Sequence, residues 1–243
     1  MAAVSVPGPA TVPRMVLAEP WPLTAAEAEA VEAGQRELLD LDSPGPTRLR
    51  TVAGLDAAYD TDSDLVAGAV VVLEAGSLQV IAEATALGRA RFPYLPGLLA
   101  FRELPSLADA WNALELDRPP DLLVCDGHGL AHPRRFGLAC HVGALTGLPT
   151  VGVAKTPFVG TYQPPGPGRG DWSPVVDRGE VVGRALRTQA GVNEVFVSVG
   201  HGIDLAGAAR HVLDLCPAYR LPETTRAADR ACRRALDAAR RGG

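Results

Sequence analysis

Lysine is nearly absent from this chain of 243 residues. Of its 23 basic residues, every one except Lys155 is an arginine. A compact ammonium group fits beside a metal or a phosphate oxygen, whereas the planar guanidinium of arginine needs room for bidentate contacts. Lys155 follows a short apolar segment that is typical of a buried strand, so it is a candidate functional residue. A leftover surface lysine explains this single occurrence about equally well.

Cysteines are few, and long apolar runs are missing. The four cysteines, at positions 125, 140, 216 and 232, lack the spacing of metal ligands, and we expect buried free thiols in a reducing compartment. No apolar run approaches membrane-spanning length, and residues 1–15 lack the basic region and apolar stretch of a signal peptide. We therefore expect a cytoplasmic protein that binds no membrane, and we take it to be a monomer.

The chain also lacks an excess of positive charge. It carries 28 acidic against 23 basic residues, a net charge of −5, whereas proteins that bind nucleic acid by general phosphate neutralisation are usually basic. Any contact with nucleic acid must then depend on local clusters of arginine. We find one such cluster in the sequence, at positions 89, 91, 102, 134 and 135. The arginines of the alanine-rich C-terminal segment are more typical of a solvated helical face.

The periodicity of the chain predicts an α/β fold. We predict helices over 24–41, 97–115, 136–146, 204–215 and 222–241, and strands over 49–59, 66–73, 78–87, 121–125, 150–155, 174–187 and 194–199. Short turn-rich segments join the first three strands, which indicates an antiparallel meander. Strands and helices then alternate, which is the order that builds parallel pairs, and the last two strands form a hairpin after a loop over 161–172.

We therefore expect a central mixed sheet, an antiparallel meander followed by parallel strands, flanked by helices. The length suits one domain, which we assign to residues 21–243. Residues 1–20 begin with prolines among small residues, and we predict a disordered leader there.

Three carboxylates stand out from this pattern. Asp126 ends an apolar strand and precedes a glycine, at the sheet edge where α/β proteins bind ligands, although an aspartate before glycine is also a common turn. Asp56 lies in an apolar strand, where a carboxylate must be paired, hydrogen-bonded or bound to a cation. Glu103 lies on a short helix that turns its apolar residues toward the core. Mg²⁺ binds one or two carboxylates and keeps water and phosphate as its other ligands, so these acids together with Lys155 suit a magnesium site.

Four segments, in this order, resemble the motifs of the endonuclease V family of deoxyinosine-directed repair nucleases. They are Pro93–Glu103, Asp126–Arg134, Val151–Lys155 and Phe196–His201. The resemblance extends from about Val52 to Arg230. It implies a ribonuclease H-like fold and hydrolysis of the second phosphodiester bond 3′ to deoxyinosine, which leaves 3′-hydroxyl and 5′-phosphate ends. It also implies dependence on Mg²⁺, for which Mn²⁺ is expected to substitute.

The resemblance also implies roles for individual residues. Asp56, Glu103 and Asp126 are expected to bind the metal and, with Lys155 and His201, to form the catalytic set. His201 could equally be a structural residue that caps the next helix. The residues expected to contact nucleic acid are Tyr94, Pro93, Gly127, His132 and Lys155.

Tyr94 is the expected wedge between DNA strands. The prolines at positions 93 and 96 prevent this segment from forming a helix, so they present the ring rigidly. Without the resemblance, a loop aromatic residue that packs back on the core would be the simpler interpretation.

Two other functions stay open at this point. The chain could be an inosine-directed ribonuclease, because the sequence does not determine which sugar is preferred. It could also be a non-catalytic member of the fold that only binds nucleic acid. The intact set of Asp56, Glu103, Asp126 and Lys155 argues against the second alternative, because a binding protein has no need of buried carboxylates.

Overall fold

The structure is a computed structural model that describes residues 11–60 and 62–242. Within these residues, the strands are β1 (Thr51–Tyr59), β2 (Leu65–Glu74), β3 (Val80–Arg89), β4 (Leu122–Asp126), β5 (Thr150–Ala154), β6 (Trp172–Asp177), β7 (Glu180–Leu186) and β8 (Val195–His201). The helices are α1 (Ala25–Arg36), α2 (Ala100–Asn112), α3 (Leu138–Thr146), α4 (Leu205–Asp214) and α5 (Glu223–Gly242). The predicted α/β fold class is confirmed.

All these strands form one mixed sheet with the order β3-β2-β1-β4-β5-β8-β7-β6. The first three strands are an antiparallel meander, and β4 and β5 extend the sheet in parallel with β1, as predicted. The strand β8 then pairs antiparallel with β5, which reverses the chain direction. The carboxyl ends of β1, β4 and β5 therefore lie at one edge of the sheet, and the carboxyl end of β8 lies at the opposite edge.

Alternate residues of the central strands enter two cores. In β4, Leu122 and Val124 pack beneath α4 and α5, while Leu123 and Cys125 pack beneath α2 and α3. A strand covered on both faces has no polar side, which is why this segment is a continuous apolar run. The sheet therefore lies between two layers of helices, and the parallel strands β1, β4 and β5 lie in its middle.

One glycine brings α5 close to the sheet. A Cβ atom on Gly54 of β1 would lie 2.2 Å from the carbonyl oxygen of Thr224 in the first turn of α5. Only glycine therefore allows this approach. As a result, the N-terminal half of α5 lies against the part of β1 that carries Asp56.

Two predicted elements differ from the structure. The strand predicted over 174–187 is split into β6 and β7, because Arg178 and Gly179 adopt positive φ angles of 53° and 81° and form a tight turn. The helix predicted over 24–41 ends at Arg36. Gln35 accepts hydrogen bonds from the C-cap residue Glu37 and from Leu38 at its backbone carbonyl, so the last turn tightens and the helix stops.

The predicted disordered leader also needs correction where it is described. Residues 1–10 lie outside the described residues. The segment 11–20, by contrast, packs against α2: Met15 is buried, and its backbone N–H donates to the side chain of Asn112 at 3.0 Å. The indole N–H of Trp111 donates to the carbonyl of Pro13 at 2.6 Å. Burial of Met15 beside α2 thus orders a segment whose composition alone suggested disorder.

Within the described part of the chain, no helix is long and apolar enough to cross a membrane. The four cysteines are free and buried, as expected from their spacing.

Candidate active site

Asp126 and Lys155 meet at the carboxyl ends of neighbouring parallel strands. Asp126 is the last residue of β4, and Gly127 turns the chain away with a φ angle of 153°, which favours glycine. Lys155 directly follows β5. Its ammonium group donates to Asp126 Oδ2 at 3.0 Å, and half of the lysine side chain remains exposed. Burial opposes ionisation of Lys155, but the Asp126 carboxylate outweighs burial and raises the pKa of the ammonium.

Asp56 lies beside Asp126 on the adjacent strand β1. The register pairs Leu55 with Cys125, which brings the two following aspartates together. Asp56 is buried, with 8% of its surface exposed, and Oδ1 accepts a hydrogen bond from the N–H of Ala57 at 2.8 Å. Burial and the charge of Asp126 raise the pKa of Asp56 to about 8. A buried carboxylate without a cationic partner is costly, so this position favours a bound cation.

Glu103 joins these aspartates from α2. Its Oε1 accepts a hydrogen bond from the hydroxyl of Tyr59 at 3.1 Å, which holds the carboxylate near the end of β1. Burial and the negative charge of Asp126 raise the pKa of Glu103 to about 7. Asp56 and Glu103 are therefore hard to ionise beside the charge of Asp126, and a divalent cation would remove this repulsion.

Taken alone, the acidic residues of this site are an incomplete set of cation ligands within the described residues. Within the described residues, no three carboxylate, imidazole or thiolate groups converge closely enough to form a complete cation site. Mg²⁺ needs only one or two protein carboxylates, because water and phosphate supply its remaining oxygens. Asp56 and Asp126 fit that requirement, because Asp56 is a buried carboxylate whose side-chain hydrogen-bond partner among the described residues is the N–H of Ala57 alone.

Asp229 on α5 is an acid that the sequence analysis missed. It lines the same cavity as Asp56, Asp126 and Lys155, and its charge contributes to the raised pKa of Asp56. Arg233 donates to it at 2.9 Å. The sequence pattern predicts a solvated face for the arginines of this helix and assigns no role to its acids. One local feature could have identified Asp229 as a site residue. It lies at the border of the apolar stripe of α5, which contains the buried residues Ala228 and Cys232.

The segment that carries Tyr94, the expected wedge, projects between two buried residues. Phe92 and Leu98 are buried, whereas the intervening Tyr94 is 71% exposed. The guanidinium of Arg102 donates to the carbonyl of Phe92 at 2.5 Å, and that of Arg134 donates to the carbonyl of Gly97. The loop is thus fixed at both ends while its ring points away from the core, which contradicts the interpretation of Tyr94 as a packed loop residue.

A cavity of about 330 Å³ lies between Tyr94 and the carboxylates of Glu103 and Asp126. Its wall contains Tyr94, Gly97, Glu103, Asp126, Gly127, His128, His132, Leu138 and Phe158. The volume falls within the usual range of small-molecule sites, and the lining is largely apolar with a few polar groups. The cavity could hold one flat heterocyclic ring beside the carboxylates.

His132 belongs to the wall of this cavity. It is buried, its ring centroid lies 5.4 Å from that of Phe158, and burial lowers its pKa to about 4. The neighbouring His128 stacks on the same phenyl ring at 5.9 Å, and burial lowers its pKa to about 4 as well. Both imidazoles are therefore neutral near pH 7, so they suit contact with an uncharged base better than contact with phosphate.

His201 does not join the site. It pairs with Thr150 at the start of β5, so it lies at the sheet edge opposite Asp126 and Lys155. Its Nδ1 accepts a hydrogen bond from the backbone N–H of Asp40 at 3.0 Å, and burial lowers its pKa. The predicted catalytic role of His201 is therefore wrong. The ring instead holds the chain that follows α1, which is close to the structural alternative.

Three arginines of the predicted nucleic-acid cluster have internal partners. Arg134 pairs with Glu32 of α1, and Arg135 donates to Asp177 and Glu180, each at 2.8 Å. The guanidinium of Arg102 is held by the carbonyl of Phe92. These side chains brace the loops around the cavity, so they are less available to phosphate than their positions in the sequence suggested.

These features define a class of protein. A mixed sheet of ribonuclease H-like order, with acidic residues at the carboxyl ends of its central parallel strands, is the arrangement of a nuclease that hydrolyses phosphodiester bonds. The endonuclease V family profile matches residues 35–230, and the chain belongs to the endonuclease V family.

Individual relatives agree with this assignment. Endonuclease V of Streptomyces avermitilis is 57% identical over 217 residues, which are 89% of this chain and 94% of that protein. The crystal structure of the Streptomyces avermitilis endonuclease V superimposes with a TM-score of 0.87 at 55% identity, covering 93% of this chain and 99% of the other. An endonuclease V of Ciona intestinalis, in complex with a DNA containing an inosine followed by a ribo-adenosine, gives a TM-score of 0.76 at 25% identity, covering 88% and 98%.

Proposed function

We propose that this enzyme hydrolyses the second phosphodiester bond 3′ to deoxyinosine in DNA. The products would carry 3′-hydroxyl and 5′-phosphate ends, and the reaction would depend on Mg²⁺, with Mn²⁺ as a substitute. The observation that carries this proposal is the position of Asp126, which lines both the cavity beside Tyr94 and the cavity that contains Asp56 and Lys155. Base binding and bond cleavage can thus occur side by side. The inosine-containing DNA of the Ciona complex supports the choice of base.

Recognition begins with the wedge. The exposed ring of Tyr94, carried by a loop with both ends fixed, would enter the base stack and part the strands. Inserting such a side chain costs a few kcal/mol of stacking, and that cost is smallest at a damaged or mismatched base. The displaced base would then occupy the cavity lined by Gly127 and His132, whose neutral imidazole suits an uncharged ring.

The carboxylates would hold the metal. Asp56 and Asp126 would be its ligands, and the negative charges of Glu103 and Asp229 would strengthen the electrostatic attraction for a cation there. When bound, Mg²⁺ supplies charge neutralisation at the phosphate and lowers the pKa of bound water. Lys155, which remains half exposed, would place a fixed positive charge where negative charge develops on the phosphoryl oxygens. Tyr59 would position Glu103 through its hydroxyl group.

Everything that this reaction needs comes from one chain, so we propose a monomer with one domain. The segment 11–20 packs against α2, so this domain includes it together with the residues from 21 onward. The four buried free thiols fit a reducing compartment, which supports a cytoplasmic location.

An inosine-directed ribonuclease is the second candidate. The observation that favours it is the ribo-adenosine that follows the inosine in the DNA of the Ciona complex. The test incubates the chain with matched DNA and RNA strands that contain inosine or adenine at one position, with and without Mg²⁺. We expect Mg²⁺-dependent cutting of inosine DNA at the second bond. Faster cutting of RNA would establish the second candidate, and cutting of adenine controls at the same rate would refute both.

A further inference from the structure

A third cavity leads away from Lys155 along α5. It measures about 310 Å³ and begins at Asp126 and Lys155. Its other lining residues are Leu221, Thr225, Arg226, Asp229, Arg230 and Arg233. We call it the α5 groove. The base cavity beside Tyr94 also begins at Asp126, so base cavity, carboxylates and α5 groove follow one another in that order.

The α5 groove is locally basic although the chain is acidic overall. Its arginines outnumber their internal partners, because Arg226 and Arg230 both pair with the single carboxylate of Glu223, each at 2.6 Å. About half of the Arg230 side chain remains exposed. A guanidinium has five N–H donors, and one shared carboxylate leaves several of them free for phosphate oxygens.

An exposed aromatic ring stands next to these arginines. The guanidinium carbon of Arg226 lies 3.4 Å from the ring centroid of Tyr219, yet Tyr219 is still 55% exposed. The guanidinium of Arg226 thus lies over the ring, and more than half of the tyrosine remains open to solvent. A ring that is held by arginine and open to solvent is a typical platform for an unpaired base.

The segment that carries Tyr219 is fastened to the active site. The guanidinium of the next residue, Arg220, donates to the backbone carbonyls of Lys155 at 2.6 Å and of Glu194 at 2.7 Å. Tyr219 therefore sits at a fixed distance from Lys155 without any contact to the base cavity, so the ring is ordered before the substrate arrives.

We propose that the α5 groove binds the strand on the 3′ side of the cut. A base of that strand stacks on Tyr219, and Arg226 and Arg230 bind its phosphates. This inference rests on the proposed function, because the strand direction follows from a base cavity that lies on the 5′ side of the cleaved bond. The ligand is a single-stranded nucleotide segment, read by stacking and charge and not by base identity.

The test uses single-stranded inosine DNA whose 3′ tail beyond the cut is shortened one nucleotide at a time. For the unmodified chain, kcat/KM should fall as the tail is lost. Tyr219→Ala should be about tenfold slower than the unmodified chain on long tails, an effect of the size expected from one stacked base, and equal to it on the shortest tail. Tyr219→Phe keeps the ring and should behave like the unmodified chain. Arg210→Ala, which removes an exposed arginine of α4, is the matched control and should change nothing.

The possible outcomes distinguish a failure of the α5 groove as a binding site from a failure of the proposed function. An equal loss on all tails would show that Tyr219 only supports the fold, and no loss on any tail would show that the ring contacts no nucleotide. Either result overturns the α5 groove as a binding site while inosine-specific cutting persists. If the unmodified chain failed to cut inosine DNA even with a long tail, the proposed function itself would fall, and this inference with it.

Discussion

The ammonium of Lys155 lies 3.0 Å from Oδ2 of Asp126, across the ends of two neighbouring parallel strands. The only lysine of the chain is thus paired with the central acid of the site. Burial opposes the charge of Lys155, but the Asp126 carboxylate outweighs burial and raises the pKa of the ammonium. Lys155 therefore remains charged throughout the neutral pH range. This pair gives the first prediction.

Lys155→Arg should reduce cleavage by about tenfold or more, which corresponds to about 1.4 kcal/mol of transition-state stabilisation. The guanidinium keeps the charge but needs more room beside Asp126 than an ammonium does. Single-turnover cleavage of inosine DNA is the measurement, with Arg210→Lys as a control for exchange of the two cations elsewhere. Unchanged kinetics would mean that any cation suffices and that the single lysine is a compositional accident.

Asp56→Asn should abolish cleavage and stabilise the metal-free protein. In the folded state the pKa of Asp56 is raised to about 8, well above its unfolded value, so the folded protein binds the proton more tightly. The contribution of Asp56 to the free energy of unfolding therefore decreases as pH rises from about 4 to 8. Asparagine has nearly the same size and carries no charge. The free energy of unfolding should therefore increase by at least about 1 kcal/mol near pH 8 and by less near pH 5.

Thermal unfolding in the presence of a chelator measures this effect. The same gain at both pH values would show that Asp56 carries no raised pKa. A loss of stability at both would show that the carboxylate has a favourable partner other than a metal.

Protons and metal should compete for the same carboxylates. Without a cation, the pKa values of Asp56 and Glu103 lie near 8 and 7, and metal binding requires the ionised forms. Activity should therefore rise with pH across this range, and its midpoint should move to lower pH as the Mg²⁺ concentration increases. Metal titration in a weak buffer near pH 7 should release protons. A midpoint that is independent of Mg²⁺, together with no proton release, would refute the competition.

Tyr94→Ala should lose more activity on double-stranded than on single-stranded inosine DNA. In its proposed role the ring separates stacked bases, and an unpaired strand requires no such work. Rates on both substrates must be compared at one salt concentration, because phosphate contacts depend on salt. The proton release described above should be unchanged, because the phenol is no metal ligand. Equal losses on both substrates would mean that Tyr94 supports the loop or stacks on a base in either form.

Much of the site could be predicted from the sequence, because its residues lie at the ends of apolar strands. Asp56, Asp126 and Lys155 follow or interrupt runs that are buried on both faces, and such runs leave few alternatives for a polar residue. The flanking prolines predicted that the loop around Tyr94 is rigid, whereas its interpretation as an exposed wedge came from the resemblance to the endonuclease V family.

The errors come from long-range geometry. The motif around His201 placed it with the catalytic residues, but no local signal shows that β8 runs antiparallel to β5 and ends at the opposite edge. Asp229 was missed because the environment of a helical residue depends on what the helix packs against, and α5 meets β1 only through the close approach at Gly54. Met15 is ordered by burial beside α2, which composition cannot show.

Asp126→Ala tests the central claim most directly, because Asp126 belongs to both the base cavity and the metal site. The measurement is cleavage of a strand with a single inosine in the presence of Mg²⁺, with the break mapped to the nucleotide and folding verified by thermal unfolding. We predict that the unmodified chain cuts at the second bond 3′ to inosine and that folded Asp126→Ala shows no cutting. Cleavage by folded Asp126→Ala at a rate near that of the unmodified chain would contradict this account.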